Sequence, residues 1–157
     1  MNFRLLFEKW GMTSLKIKTQ ILDMEFKPQD PDKAAAWALY VELLTRITTQ
    51  PLDAKHGDEK TALESVYSLF PLTRQVLKDN GPGCTQFAKL AVVVLNQVVR
   101  PFTAKWHLLS LKGAFEKPEK RKEFRKELAA LQIELRKYTW MLADIAGVED
   151  LTSLEDE

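Results

Sequence analysis

Cysteine is nearly missing from this chain. Cys84 stands alone among 157 residues, which excludes an intramolecular disulfide and any all-cysteine metal site and points to a reducing, cytoplasmic setting. Histidine is almost as scarce: neither His56 nor His107 has a HExxH-type partner, and the Glu-x-x-His pairs that di-iron bundles place on facing helices do not occur. We therefore expect no metal and no cofactor. The 6 glycines form neither a GxGxxG turn after a strand nor a GxxxxGK[ST] loop that could wrap a phosphate in backbone amides. An excess of one charge is also lacking, since 23 Lys+Arg face 22 Asp+Glu for a net +1; that balance argues against a surface built wholly for nucleic acid. Long hydrophobic runs are absent as well. The longest uncharged apolar run, residues 90–99, falls far short of the ~20 residues a bilayer span needs. The opening MNFRLLFEKWG carries Arg4, Glu8 and Lys9, so it has no signal-peptide core. With no legible nucleophile or base, the chain reads as a non-enzyme that does not engage membranes.

What is present is enough stock for one core: 45% hydrophobic and 10% aromatic residues in a length typical of a single domain. We read residues 1–157 as that domain, with a β-like segment over 1–27, a helical bundle over 30–147 and an acidic tail over 148–157. In SLKIKTQI, Leu15 and Ile17 alternate with Lys16 and Lys18, the period of a half-buried strand. Beyond Ile21 the parity switches to Leu22, Met24 and Phe26, so one strand would need a bulge; a helix with Ile17, Ile21 and Met24 on one side is the competing reading. The only second strand available is residues 3–7, turned back through Trp10 and Gly11.

Four helical stretches follow. The first opens on Asp30-Pro31-Asp32 and is expected to run to Gln50, with Trp37, Val41, Leu44 and Ile47 inward, and Ala36, Tyr40 and Leu43 widening that stripe. The second is capped by Asp58, turns Leu63, Val66, Tyr67, Phe70 and Leu77 to the core, and must kink or restart at Pro71 before stopping at Asn80-Gly81-Pro82-Gly83. The third begins near Thr85 and is apolar on nearly every side through Val99, which marks it as the most buried, before Pro101 interrupts it. The fourth carries Phe124, Leu128, Leu131, Leu135, Tyr138, Leu142 and Ile145 as an unbroken heptad seam and ends at Gly147. Together these predict a mainly α fold, a four-helix bundle with kinks at the two prolines.

Three constellations could carry function. If the first and third helices run parallel, Arg46 and Gln50 fall near Asn96, Arg100, Lys105, Trp106 and His107. Arg100 then offers a planar fork for a carboxylate or phosphate beside a large aromatic face. The structural alternative pairs Arg100 with a helix carboxylate such as Glu42 or Glu64 and sends Trp106 into the core. A basic stretch, Lys112 to Lys126, reads as a solvated helix start, with nucleic acid, through Lys117 to Lys126, or an acidic membrane surface the less favoured options. Lastly, Ala129, Ile133 and Trp140 form a second apolar line on the fourth helix. They call for cover, either from the N-terminal edge (Leu22, Met24, Phe26) or from another chain.

The segments AAWALYVELLTRITTQPL and LNQVVRPFTAKWH resemble those of a family of small bacterial helical proteins. The resemblance implies an accessory component of a multi-gene bacterial system, antiviral defence among them, and carries no catalytic residues. The sequence thus leads us to expect a regulatory or protein-interaction subunit, homo-oligomeric or part of a larger complex, partnered by its own copy or another chain through Leu22, Met24, Phe26, Ile133 and Trp140. A sensor of small anionic ligands or nucleotides centred on the Arg100 box is the second expectation, and a nucleic-acid-binding module the third.

Overall fold

Where the alternating N-terminal sequence led us to expect strands, a computed structural model describing residues 1–156 shows helices and an extended segment without a sheet. Helix α1, Phe3–Lys9, starts at Asn2, whose side chain accepts from the Leu5 amide at 2.9 Å. Phe3, Leu6 and Phe7 recur at helical spacing and are all buried, so the segment that would have paired a strand is committed to a helix. After a bend at Ser14, residues 15–18 run extended into a single turn, α2, Thr19–Leu22. Leu15 and Ile17 are half-buried while Lys16 and Lys18 are exposed. The burial alternates as the sequence does, but the sole β feature among the described residues is an isolated bridge between Asn2 and Glu25. Two glutamine amides stand in for the missing ladder. Gln97 accepts from Lys16 N at 2.8 Å and donates to Lys16 O at 2.7 Å, and Gln86 accepts from Lys27 N at 2.7 Å.

Helix α3, Asp30–Leu44, ends earlier than expected. Four of the five residues in Thr45-Arg46-Ile47-Thr48-Thr49 are β-branched and gain little from helix, and the freed carbonyls are taken by side chains: Thr49 Oγ1 donates to Leu43 O at 2.6 Å, and Gln50 Nε2 to Leu44 O at 2.9 Å. Its buried face is Ala35, Ala36, Leu39, Tyr40 and Leu43, so Trp37 and Val41, expected inside, are each 46% exposed. Apolar residues ring this helix, and neighbouring elements rather than periodicity choose the face.

Asp58 caps α4, Glu59–Tyr67, and α5, Leu69–Asn80, restarts after Ser68. Pro71 therefore falls in the first turn of α5, where its missing amide costs nothing. Tyr67, expected inside, is turned out by this corner and 46% exposed. Asp58 accepts from both the hydroxyl (2.6 Å) and the amide (2.8 Å) of Thr61, and these bonds hold its carboxyl below the ordinary range. A depressed native value means the contribution is complete above an unfolded-state pKa of ~4 and fades as pH falls through the lower native value. Asp58→Ala should cost about 1 kcal/mol at neutral pH. The gap between its urea midpoint and the parent's should close in strong acid.

A 3₁₀ turn, Pro82–Cys84, leads into α6, Thr85–Val94. Through a π-helical turn, Leu95–Val99, the same rod continues as α7, Arg100–Leu111. Arg100 N–H bonds Leu95 O, five residues back, and this wide turn absorbs Pro101 without ending the rod. By length and composition alone Pro82–Leu111 could cross a membrane, but its apolar side is packed within the protein and it carries Lys89, Arg100 and Lys105. A second 3₁₀ turn, Ala114–Glu116, precedes α8, Pro118–Ala146, which closes on left-handed Gly147. All seven heptad positions of α8 are buried.

The helices share one core. Gln132 Nε2 donates to Ile47 O (2.6 Å) while Tyr40, earlier in the chain, meets Asp150 (3.2 Å), so α8 runs antiparallel to α3. The rod of α6 and α7 starts beside the start of α3, because Phe87 N donates to Asp32 Oδ1 at 2.9 Å. Trp106, Phe102, Phe115 and Phe124 pack at the far end with ring centroids 5.0–6.0 Å apart.

Candidate functional site

The residues grouped by the sequence around Arg100 are distributed over three faces. Arg46 donates to Glu42 at 2.6 Å and to Ser68 at 3.2 Å. Gln50 caps the end of α3. Asn96 accepts from Arg100 at 3.2 Å, and the guanidinium lies 4.7 Å from the centroid of Phe70. Trp106 is fully buried, with its Nε1 lacking a hydrogen-bond partner. Lys105 and His107, two positions apart on a helix, point about 200° apart. Lys105 reaches Glu127 (2.8 Å) and Glu123 (3.4 Å) on α8, while His107 sits edge-on to Tyr67 at 5.1 Å. The hydrogen bonds that Lys105 Nζ donates to Glu127 raise its ammonium above the usual range, against the opposing effect of desolvation. The corner between α4 and α5 thus gathers Arg46, Arg100 and His107, through Ser68, Phe70 and Tyr67 respectively. Among the described residues the set does not share a cavity: Gln50 borders one of about 520 Å³ and Lys105 another of about 490 Å³.

Cys84 is buried, and burial, helped by the charge of Asp32, pushes its thiol up, which suits a packed thiol rather than a nucleophile. In the basic stretch Lys120 pairs with Glu123, Arg121 donates to Phe115 O, and Arg125 holds Glu59, Asp53 O and Gly57 O. These three cations are tied to the protein itself, and Arg125 fastens the loop before α4 to α8.

The expected interface residues divide. Ile133 is 59% exposed and Met24 41%. Phe26 is half-buried edge-on to Phe3 at 5.1 Å, and Leu22 is half-buried beside α1. Trp140 is half-buried and covered by the chain's own tail rather than by the N-terminal edge. Its Nε1 donates to Thr152 Oγ1 at 2.7 Å, because the acidic tail folds back over α8, held also by the bond from Leu151 N to the Tyr40 hydroxyl at 2.6 Å. Burial raises the Tyr40 phenol above its usual value, so it stays protonated as this latch.

No family model, curated protein or solved structure matches the chain.

A feature that sequence reasoning missed lies between the two glutamine clips. The extended segment stands off α6 and leaves a groove of about 410 Å³ floored by Ile17, Ile21, Ala88, Val92 and Val93. Lys16, Lys18 and Lys89 border it. Among the described residues none of these lysines has a carboxylate partner; Lys89 reaches only Met24 Sδ, at 3.7 Å, and the Phe3 ring, at 5.8 Å. The signal was present in KIK, whose lysines flank an apolar residue, but nothing in sequence places Val92 opposite. Chemically, such a site desolvates aliphatic side chains and attracts negative charge.

Proposed function

We propose that this protein is a non-enzymatic interaction subunit that docks another polypeptide at the lysine-bordered groove between its extended N-terminal segment and α6. One observation carries the reading: an almost wholly apolar floor flanked by three cations that the protein's own carboxylates leave unpaired among the described residues. Surface apolar area rimmed by polar groups is the ordinary mark of a protein contact. The bundle serves as scaffold. We count it as four rods: α3, the α4–α5 pair, the α6–α7 rod and α8, with the N-terminal segment as an appendage that shapes the groove. A cytoplasmic setting accords with the lone buried thiol.

The anion-sensor reading has less support, because Arg46, Arg100 and Lys105 are each engaged by groups of the protein itself. Val92 is 46% exposed, so Val92→Glu should leave the melting midpoint within about 2 °C of the parent. Affinity-tagged parent chain, expressed in its source cell, should retain a stoichiometric protein, or tagged and untagged copies of itself, that the variant loses. Identical retention by both chains, or none by either, would refute the docking role.

A further inference from the structure

The groove calls for an occupant that is both aliphatic and acidic, and the chain carries one. After Lys137 it has no further base, while Asp144, Glu149, Asp150, Glu155, Asp156 and Glu157 follow. Tyr40 and Trp140 fasten this tail as far as Thr152. Beyond that point Leu154 is 74% exposed, so most of its side chain is open to another surface. Asp156 lies 3.8 Å from Arg136, its only cationic neighbour among the described residues.

We propose that the groove receives the C-terminal segment of a second copy of the chain, with Leu154 seated between Ile17 and Val92 and the carboxylates of Glu155 and Asp156 facing Lys16, Lys18 and Lys89. The inference rests on the docking reading above and names its partner. Dimensions agree. From Thr85 to Val93 the groove follows α6 for about 12 Å at 1.5 Å per residue, which about four residues span once the turn over 152–155 opens into an extended strand. Charge agrees too, three cations without acids meeting a segment of acids without bases. Groove and tail are different surfaces, so the contact is heterologous: copies associate head to tail, closing into a ring or extending as a chain according to the rotation between them. Part of the attraction is ionic and partly exposed, so added salt weakens it.

Light scattering on the full chain over a wide concentration range tests this. The parent's mass should start near 18.1 kDa when dilute and rise with concentration. Leu154→Ser and the triple variant Lys16→Glu/Lys18→Glu/Lys89→Glu should each stay monomeric, with circular dichroism melts confirming that both fold. Mixed together they should form a species of twice 18.1 kDa, because the intact groove of one accepts the intact tail of the other. A parent that stays monomeric at every concentration overturns the proposal, as does association that neither variant affects. If the triple variant instead loses binding to phosphatidylglycerol vesicles while the parent stays monomeric, an anionic lipid surface fills the groove and the tail does not. A monomeric parent whose Val92→Glu variant still loses a co-purifying protein removes the tail alone and leaves the docking function standing.

Discussion

Trp106→Ala should destabilise the protein by about 4 kcal/mol and lower its melting midpoint by roughly 8–16 °C, whereas Trp106→Phe should change stability by no more than about 1 kcal/mol. The indole is 0% exposed and is clasped by Phe124 at 5.2 Å, edge to face, and Phe115 at 6.0 Å, stacked. Truncation to a methyl group opens a cavity that a rod fixed on two sides cannot collapse. Phenylalanine keeps the aromatic contacts. It also removes an N–H that has no partner, and an unsatisfied buried donor costs about 1–3 kcal/mol, which offsets the lost ring volume. Calorimetry of the two variants decides between a packing role and the ligand-platform role: a platform would leave stability nearly unchanged in both. A loss of less than about 1.5 kcal/mol for the alanine variant would show that Trp106 is not a structural keystone.

The same residue shows how far the sequence carries. The heptad seam of α8 was fully legible, because one apolar residue every three or four positions leaves a long helix a single face to bury, and all seven positions are inside. The Asp58 cap, the Asn80-Gly81 stop and the Gly147 terminus were legible for the same local reason. Helix α3 was legible as a helix but not in its rotation: apolar side chains surround it, so the choice of Leu39 over Val41 is made by α5, α6 and α8. The N-terminal alternation is legible as the half-burial of Leu15 and Ile17 but not in its pairing. The amides that bind it are side chains of Gln86 and Gln97, about 60 and 80 residues downstream by chain separation, and no periodicity encodes such a clip. The Arg100 box looked like one site because its residues are close in sequence; helical geometry sends Lys105 and His107 to opposite flanks. The groove went unseen since half of it is aliphatic surface on a helix that looked buried on every side, yet Val92 is 46% exposed.

Asp32→Ala should cost about 3 kcal/mol, lowering the melting midpoint by roughly 6–12 °C, the largest effect we expect from any charged residue. Its carboxylate is 0% exposed and divides its oxygens between two helices. Oδ2 accepts from Gln29 N at 2.8 Å, closing the first turn of α3, and Oδ1 accepts from Phe87 N at 2.9 Å in the first turn of α6. Both donors belong to the set that every helix start leaves without an intrahelical partner. Both helix dipoles also direct their positive ends at the same negative charge. Alanine leaves two amides unpaired in a dry site, at about 1–3 kcal/mol each. The substitution Asp32→Asn is a sharper probe: the amide's single acceptor oxygen can serve only one of the two N–H groups, while its NH₂ opposes the other. This variant should therefore recover less than half of the loss, although it is nearly isosteric. Hydrogen exchange should localise the damage, with Gln29 and Phe87 amides losing protection together in either variant. Loss at Gln29 alone would mean that the link between α3 and α6 is supplied by apolar packing rather than by the carboxylate, and the adjacency of the two helix starts would then need another cause.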